Sequence, residues 1–262
     1  MTVSDKGGSR FFDAVAARYD ELVSSDPTHT WVRAAFQSLV AETVAPGGLL
    51  LDFGCGTGTD ALWYAKRGYR VIAYDNSAMM IEQLKAKCLT QIESEEIVPY
   101  HADYEEFLEQ ELRPCPVAIV SNFAALSAIS DLPRLFAAWA GRVAPSGHVI
   151  VSMLNPFFWR NMLRRSWLKD CIRSMGTGMI VRTCEDRPDI YGYLPSSVAA
   201  AASSHFVKMG EAGVGALTSG SKTHQAWSAP KTAAGRLERR FWKTRTVRTF
   251  GQFIFIVFQR PA

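Results

Sequence analysis

The residues with the plainest chemical meaning are Asp52-Phe53-Gly54-Cys55-Gly56-Thr57-Gly58, which close the short apolar run Leu49–Phe53 and precede a helical stretch starting near Thr59-Asp60. A chain that turns sharply from strand to helix with a ligand against its bare backbone needs glycine, which tolerates positive φ and has no Cβ. The helix that follows aims its free N–H groups toward the bend. Spacing then narrows the ligand. A dinucleotide fingerprint is G-x-G-x-x-G, but Thr59 stands where its third glycine belongs, and the pattern is G-x-G-x-G. No Gly-Lys-Ser/Thr follows, which excludes a P-loop. A carboxylate at Asp52 would repel a pyrophosphate and suits an ammonium, favouring a nucleoside that carries an amino acid over NAD.

Two further acids sit at telling places. Asp75 ends Val71-Ile72-Ala73-Tyr74-Asp75, far enough after Gly58 for one helix and one strand, and an acid there accepts from both ribose hydroxyls. Asp103, in His101-Ala102-Asp103-Tyr104, follows a third strand and can accept from the exocyclic amine of adenine. Each has a plainer reading: Asp75 or Ser77 as the cap of a helix over Ala78–Cys88, and Asp103 as an N-cap.

The surrounding pattern supplies elements to position these groups. Residues 1–10 read as a disordered lead, and Phe11–Val44 as two helices separated by Asp26-Pro27-Thr28. Strands are expected at Leu49–Phe53, Arg70–Tyr74, Ile97–His101, Val117–Ser121 and His148–Leu154. Helices alternate with them at Asp60–Arg67, Ala78–Cys88, Tyr104–Gln110 and Leu132–Val143. Such alternation implies an α/β fold, a parallel sheet with helices on both faces and a ligand at the carboxyl ends of the strands. After Leu154 the rhythm breaks. Pro156–Met175 is aromatic and basic, with Trp159, Leu163 and Trp167 on one helical stripe, and reads as a lid. Met179–Arg182, Phe206–Leu217 and Gly251–Gln259 read as extended, and Ser196–Ser204 and Arg236–Trp242 as helices.

Together these residues resemble class I S-adenosylmethionine-dependent methyltransferases of the bacterial small-molecule type. Phe12-Asp13 with Ala17-Arg18-Tyr19-Asp20 looks like the "FDxxAxxYD" opening of many members, and Ser121-Asn122-Phe123-Ala124-Ala125-Leu126 with Asp131-Leu132 like the "SNFGALN…DL" stretch of one subgroup. Ala124 and Ser127 depart from that subgroup's Gly and Asn. The resemblance implies a Rossmann-like, doubly wound, seven-stranded sheet whose last strand is antiparallel. It also implies a division into a helical cap (1–45), a cofactor core (46–155), a lid (156–204) and C-terminal strands completing the same sheet (205–262). It assigns Gly54, Gly56 and Gly58, with Cys55 and Thr57, to the bend under S-adenosylmethionine. Asp52 is assigned to the methionine end, Asp75 with Asn76 to the ribose, Asp103 with Tyr104 to the adenine, Asn122 and Phe123 to the sulfonium, and Tyr19 to closure over the methionine carboxylate. The product would be S-adenosylhomocysteine, and no metal is expected.

Composition sets the outer limits. The chain has 262 residues, 48% hydrophobic and 21% charged, with a formal charge of +4, ordinary for a globular protein with a large core. Between Lys231 and Ala262 stand eight Lys or Arg and one acid, Glu238, most simply a solvated basic surface. The five cysteines include no CxxC and none at zinc-ligand spacing from a histidine, which suggests reduced thiols in the cytoplasm. No apolar run approaches the roughly 20 residues that span a bilayer. Asn155-Pro156-Phe157-Phe158 superficially matches the N/D-P-P-Y/F/W motif for planar amines, but it follows the fifth strand rather than the fourth, which disfavours base methylation. The expected reaction is methyl transfer to an O, N or C atom of a small-molecule acceptor, with lipid-like and anionic acceptors among the alternatives; no DNA is expected, and RNA and stable membrane insertion are disfavoured. No histidine is singled out as a base. The competing readings are an RNA methyltransferase, an NAD(P)-dependent oxidoreductase and a non-catalytic cofactor-binding scaffold.

Overall fold

The computed structural model describes residues 6–159, 163, 168–169, 172, 177–184, 187–217 and 233–262. Nine strands are described: β1 (Leu49–Phe53), β2 (Arg70–Asp75), β3 (Ile97–His101), β4 (Ala118–Ser121), β5 (His148–Leu154), β6 (Met179–Cys184), β7 (Arg187–Tyr193), β8 (Val207–Val214) and β9 (Phe253–Gln259). Seven form one sheet in the order β3-β2-β1-β4-β5-β9-β8. The first five are parallel, and β9 runs antiparallel to both β5 and β8, as the family resemblance implies. β6 and β7 pair with each other as a separate hairpin.

The period-2 side-chain alternation of strands divides the sheet between two apolar layers. In β9, Phe253, Phe255 and Val257 join one layer, with Trp31, Phe36 and Val40 of the helix Pro27–Thr43. Ile254, Ile256 and Phe258 join the other, with Phe136 and Trp139 of the helix Leu132–Arg142. Strands buried on both faces read as continuous apolar runs, which is why FIFIVF and HVIVSML stand out in the sequence.

Local signals set the helix starts. Asp26 accepts from Thr28 N at 2.8 Å with Pro27 in the first turn, so the Asp-Pro-Thr interruption is a helix start. Ser77 caps Met80 N at 3.2 Å, and Asp131 caps Arg134 N at 3.1 Å. Glu238, the lone acid of the basic C-terminal stretch, is fully buried. It accepts from the Trp31 indole at 3.2 Å, from Leu217 N at 2.9 Å and from Gly215 N. Arg239, Arg240 and Lys243 around it are exposed.

Several expectations differ from the structure. Residues 6–10 are not a lead: a helix runs Lys6–Val15, followed by a 3-10 turn at Ala16–Arg18 and a short helix at Tyr19–Ser24. Residues 1–5 lie outside the described residues. The hairpin partner β7 was unread because Arg187-Pro188-Asp189 carries turn residues rather than alternation. The helix Arg245–Phe250 was also missed. Most of the expected lid, including Trp167, lies outside the described residues; Leu163 is 77% exposed, and Trp159 donates to Ala216 O at 3.0 Å.

Candidate active site

The glycine bend sits at the carboxyl end of β1, pinned to the end of β2. Gly54 N and Cys55 N both donate to Tyr74 O at 2.9 Å, and Gly56 N donates to Asp75 Oδ2 at 2.8 Å. These are the N–H groups a phosphate cradle would turn toward its ligand, and here they are spent inside the protein. The glycines themselves serve two purposes. A Cβ on Gly58, which has φ +77°, would meet Leu84 Cγ at 2.6 Å, so this glycine is required by helix packing. Gly56, at φ +53°, faces open space, with its nearest neighbour the Tyr19 ring at 3.6 Å from a built Cβ.

Gly56 opens onto a cavity of about 300 Å³. It is lined by Phe53, Gly54, Gly56, Tyr74, Asp75, Asn76, Met80 and Tyr104 from the ends of β1 and β2 and the helices that follow β2 and β3, and by Phe11, Phe12, Ala124, Ala125, Ser127, Ala128, Ile129, Leu154, Asp189 and Ile190 from the first helix, the turn after β4, the end of β5 and β7. Tyr19, Asn122 and Phe123 also line it, and with Gly54 and Gly56 they border a second, smaller void beside Arg33, Asp52, Cys55, Thr57, Thr59 and Asp60. Of the residues named from sequence, Asp103 and Gly58 line neither space. Asp103 is exposed at the N-cap position of the helix Tyr104–Glu109 and makes no side-chain capping bond. Tyr104, its neighbour, is the residue that reaches the wall.

Charge is arranged unevenly across this site. Asp75 takes Ser77 N at 2.9 Å on Oδ1 and Gly56 N on Oδ2, so it orders both the bend and the following turn. Burial nevertheless pushes its pKa up, against the pull of those two N–H groups. Asp52 is 2% exposed, and its Oδ2 has no hydrogen-bond partner. Its pKa is driven well above the carboxylate range by burial and by the nearby Asp60 and Asp75, with Arg33 opposing. An orphaned buried carboxylate is costly without a cationic or donor partner. Asp60 itself is satisfied: Arg33 pairs with it at 2.7 Å, Gln37 donates at 2.7 Å and Asn122 Nδ2 at 3.1 Å. The Arg33 guanidinium also lies over the Phe123 ring, 4.5 Å from its centroid. Arg33 was not singled out from sequence, because one Arg on an amphipathic helix carries no spacing signal.

The loop after β4 is strained. Phe123 and Ala124 both take positive φ, +50° and +59°. Ala124 stands where the resembling subgroup has glycine, which would adopt this conformation freely. Such strain collects at functional sites. Asn155 is structural: its Nδ2 donates to the carbonyls of Thr249 at 2.9 Å and Gly251 at 2.7 Å. Its Oδ1, the atom that would accept from an amine, takes Phe157 N at 2.9 Å, and Asn155 lines neither void, which separates it from an amine-binding motif.

The N-terminal segment closes the cavity from above, and between Ser9 and Asp26 only Ala16 is buried. Two carboxylates hold it down. Asp13 accepts from Ser77 Oγ at 2.6 Å and Met79 N at 3.2 Å. Asp20 accepts from Thr57 Oγ1 at 2.5 Å and pairs with Lys87 at 2.5 Å. Burial raises the pKa of Asp20, but the hydrogen bonds from Lys87 and Thr57 and the Lys87 charge together outweigh it, and the net shift is downward.

Comparison with known proteins agrees with this arrangement. A family profile described as "Methyltransferase domain" matches residues 29–184. The chain is 27% identical over 199 residues to a demethylmenaquinone methyltransferase of Thermobifida fusca (strain YX), spanning 72% of this chain and 77% of the relative. Two solved structures share the fold. The chain in complex with the Haloferax volcanii Trm112 methyltransferase activator superposes with TM-score 0.65 at 16% identity, covering 97% of each. The N-methyltransferase NodS of Bradyrhizobium japonicum WM9, bound to S-adenosylhomocysteine, superposes with TM-score 0.62 at 12% identity, covering 98% of this chain and 100% of the other. No helix among the described residues is long and apolar enough to cross a membrane. The chain belongs to the methyltransferase-domain family and is an S-adenosylmethionine-dependent methyltransferase of class I.

Proposed function

We propose that this chain methylates an O, N or C atom of a small, largely apolar acceptor, with cofactor and acceptor sharing one cavity. The observation that carries this reading is the continuity of the space from Gly56 and Asp75 to the apolar wall at Phe11, Ile129, Leu154 and Ile190. Asp75 and Asn76 would hold the ribose, and Tyr104 would flank the adenine with Asp103 at its edge. Asp52, whose free oxygen lacks a partner, would receive the ammonium of the methionine end, with Arg33 and Tyr19 toward its carboxylate. Gly54, Cys55, Gly56, Thr57 and Gly58 would form the floor, and Asn122 and Phe123 the wall nearest the reacting centre.

When bound, S-adenosylmethionine supplies a methyl group on a good leaving group, so the protein contributes chiefly alignment and exclusion of water. Such effects are worth up to ~7–11 kcal/mol. No histidine lines the cavity among the described residues. The relative that acts on demethylmenaquinone supports an apolar acceptor, and NodS supports nitrogen as one possible atom. The same reading keeps the fourfold division of the chain, a cytoplasmic location, no need for a metal, and no nucleic-acid partner. Against NAD stand Thr59 and the bend N–H groups already engaged by Tyr74 and Asp75.

Thermal denaturation tests the cofactor assignment. S-adenosylhomocysteine at one hundred times its Kd should stabilise the protein by about 2.7 kcal/mol, and NADH should not. A well-folded sample indifferent to S-adenosylhomocysteine, or stabilised by NADH, would sink the reading.

A further inference from the structure

The acceptor end of the cavity has a chemical signature narrower than "apolar". Phe11, Phe12, Ile129, Leu154 and Ile190 give it hydrocarbon walls, and one charged side chain, Asp189, enters it from β7. The hairpin is built to bring that side chain in. Its pairing loses register between Arg182 and Cys184, so Asp189 has no paired residue across the ladder, while Ile190 pairs with Arg182. A bulge redirects side chains that strict alternation would send to opposite faces, and both Asp189 and Ile190 line the cavity. Farther along the strand, the Tyr193 hydroxyl donates to Ile129 O, fixing the hairpin against the wall opposite.

Sign matters as much as position. Among the residues whose side chains the structure describes, no Lys, Arg or His lines this cavity, and the carboxylates that do are Asp75 and Asp189. Arg33 faces the smaller void and is paired with Asp60. Among the residues whose side chains the structure describes, none donates a hydrogen bond to Asp189. A carboxylate beside hydrocarbon gains most from a ligand that donates to it, and a second anion there would be repelled and stripped of water together.

We propose that the acceptor is an apolar molecule, neutral or cationic, held through an N–H or O–H donated to Asp189, and that carboxylate and phosphate acceptors are excluded. This rests on the methyltransferase reading above. Asp189 is here a specificity residue, and the proposal requires no proton transfer to it.

The test uses the full chain saturated with S-adenosylhomocysteine and four bicyclic probes of similar size, titrated by calorimetry. Tetrahydroisoquinoline donates N–H, naphthol donates O–H, naphthalene donates nothing and naphthoate is an anion. The two donors should bind about tenfold more tightly than naphthalene, the worth of one charge-assisted hydrogen bond, and naphthoate should bind most weakly. Asp189→Asn should reduce the amine's advantage and relax the exclusion of naphthoate. Affinity for S-adenosylhomocysteine, measured on each protein first, reports whether fold and cofactor side are intact. If that variant loses the cofactor product, the ranking on the wild-type chain decides alone. Naphthoate or naphthalene binding as tightly as the donors, or none of the four binding the loaded protein, overturns the proposal. Failure of the wild-type chain to bind S-adenosylhomocysteine overturns the underlying reading instead, and shows before any probe is added.

Discussion

The two ends of the cavity are made differently. The proposed cofactor end is assembled from strand termini of a sheet buried on both faces, with the Gly54–Gly58 bend pinned to β2 by three backbone N–H groups. The proposed acceptor side adds to Leu154 of β5 pieces outside that sheet: the helix Lys6–Val15, the strained turn after β4 and the hairpin β6–β7. On the proposed reading, groups that every methyl transfer needs stand at the edge of the sheet, while most of those that would choose an acceptor stand on elements packed against it. The difference separates what is common to a chemistry from what is particular to a protein.

Damage to the bend should have the largest effect. Gly56→Val places a branched side chain at φ +53°, in the space the ligand needs, and should lower affinity for S-adenosylhomocysteine by more than ~100-fold. Retained affinity, measured by calorimetry, would put the cofactor elsewhere. Asp75→Ala comes next. It removes the proposed ribose acceptor and releases the N–H groups of Gly56 and Ser77, so a loss of roughly 10- to 100-fold is expected. Unchanged binding would break the assignment of the β2 end.

A pH series sharpens the comparison further. The fold holds Asp52 above its unfolded pKa, so the cost of keeping it charged is fully present above the folded value and is relieved as pH falls through it. Affinity for a ligand ammonium has the opposite sign, because protonation removes the attraction. Binding of S-adenosylhomocysteine should weaken on acidification starting at a higher pH than an exposed Asp would dictate. It should also release protons, detectable as heats that differ between buffers of unlike ionisation enthalpy. Heats independent of buffer would remove Asp52 from the ammonium site. The smallest effect is expected at the segment above the cavity. Lys87→Ala removes the cation paired with half-exposed Asp20, together with its donations to Thr57 and Thr59, and should cost about 1 kcal/mol, shrinking in high salt. A larger drop in Tm would mean that the pair organises more than this segment.

Legibility in the sequence followed the same division. The parallel strands were readable because burial on both faces leaves continuous apolar runs, and the bend because glycine is dictated at Gly56 and Gly58 by φ, open space and Leu84. Asp52 and Asp75 were readable through their place at strand ends. Arg33 was not, since its partner Asp60 is 27 positions away and only folding joins them. The cavity positions of Phe11, Phe12, Asp189 and Ile190 were not, because one pair comes from the first helix and the other from β7, nearly 180 residues apart with no common period. Glu238 was visible only as an oddity, one acid among basic residues, and the donors around it, Trp31, Gly215 and Leu217 among them, explain it.

The clamps at Asp13 and Asp20 bear on how this protein should be handled. Neither apolar layer includes a residue before Trp31, so a shortened chain beginning at Pro27 would keep both layers and look properly folded by its helix and strand content. It would nevertheless lack Phe11, Phe12 and Tyr19 from its cavity. On the proposed reading a start trimmed past Tyr19 is therefore an alteration of the candidate site, and an inert but well-behaved preparation would be its signature.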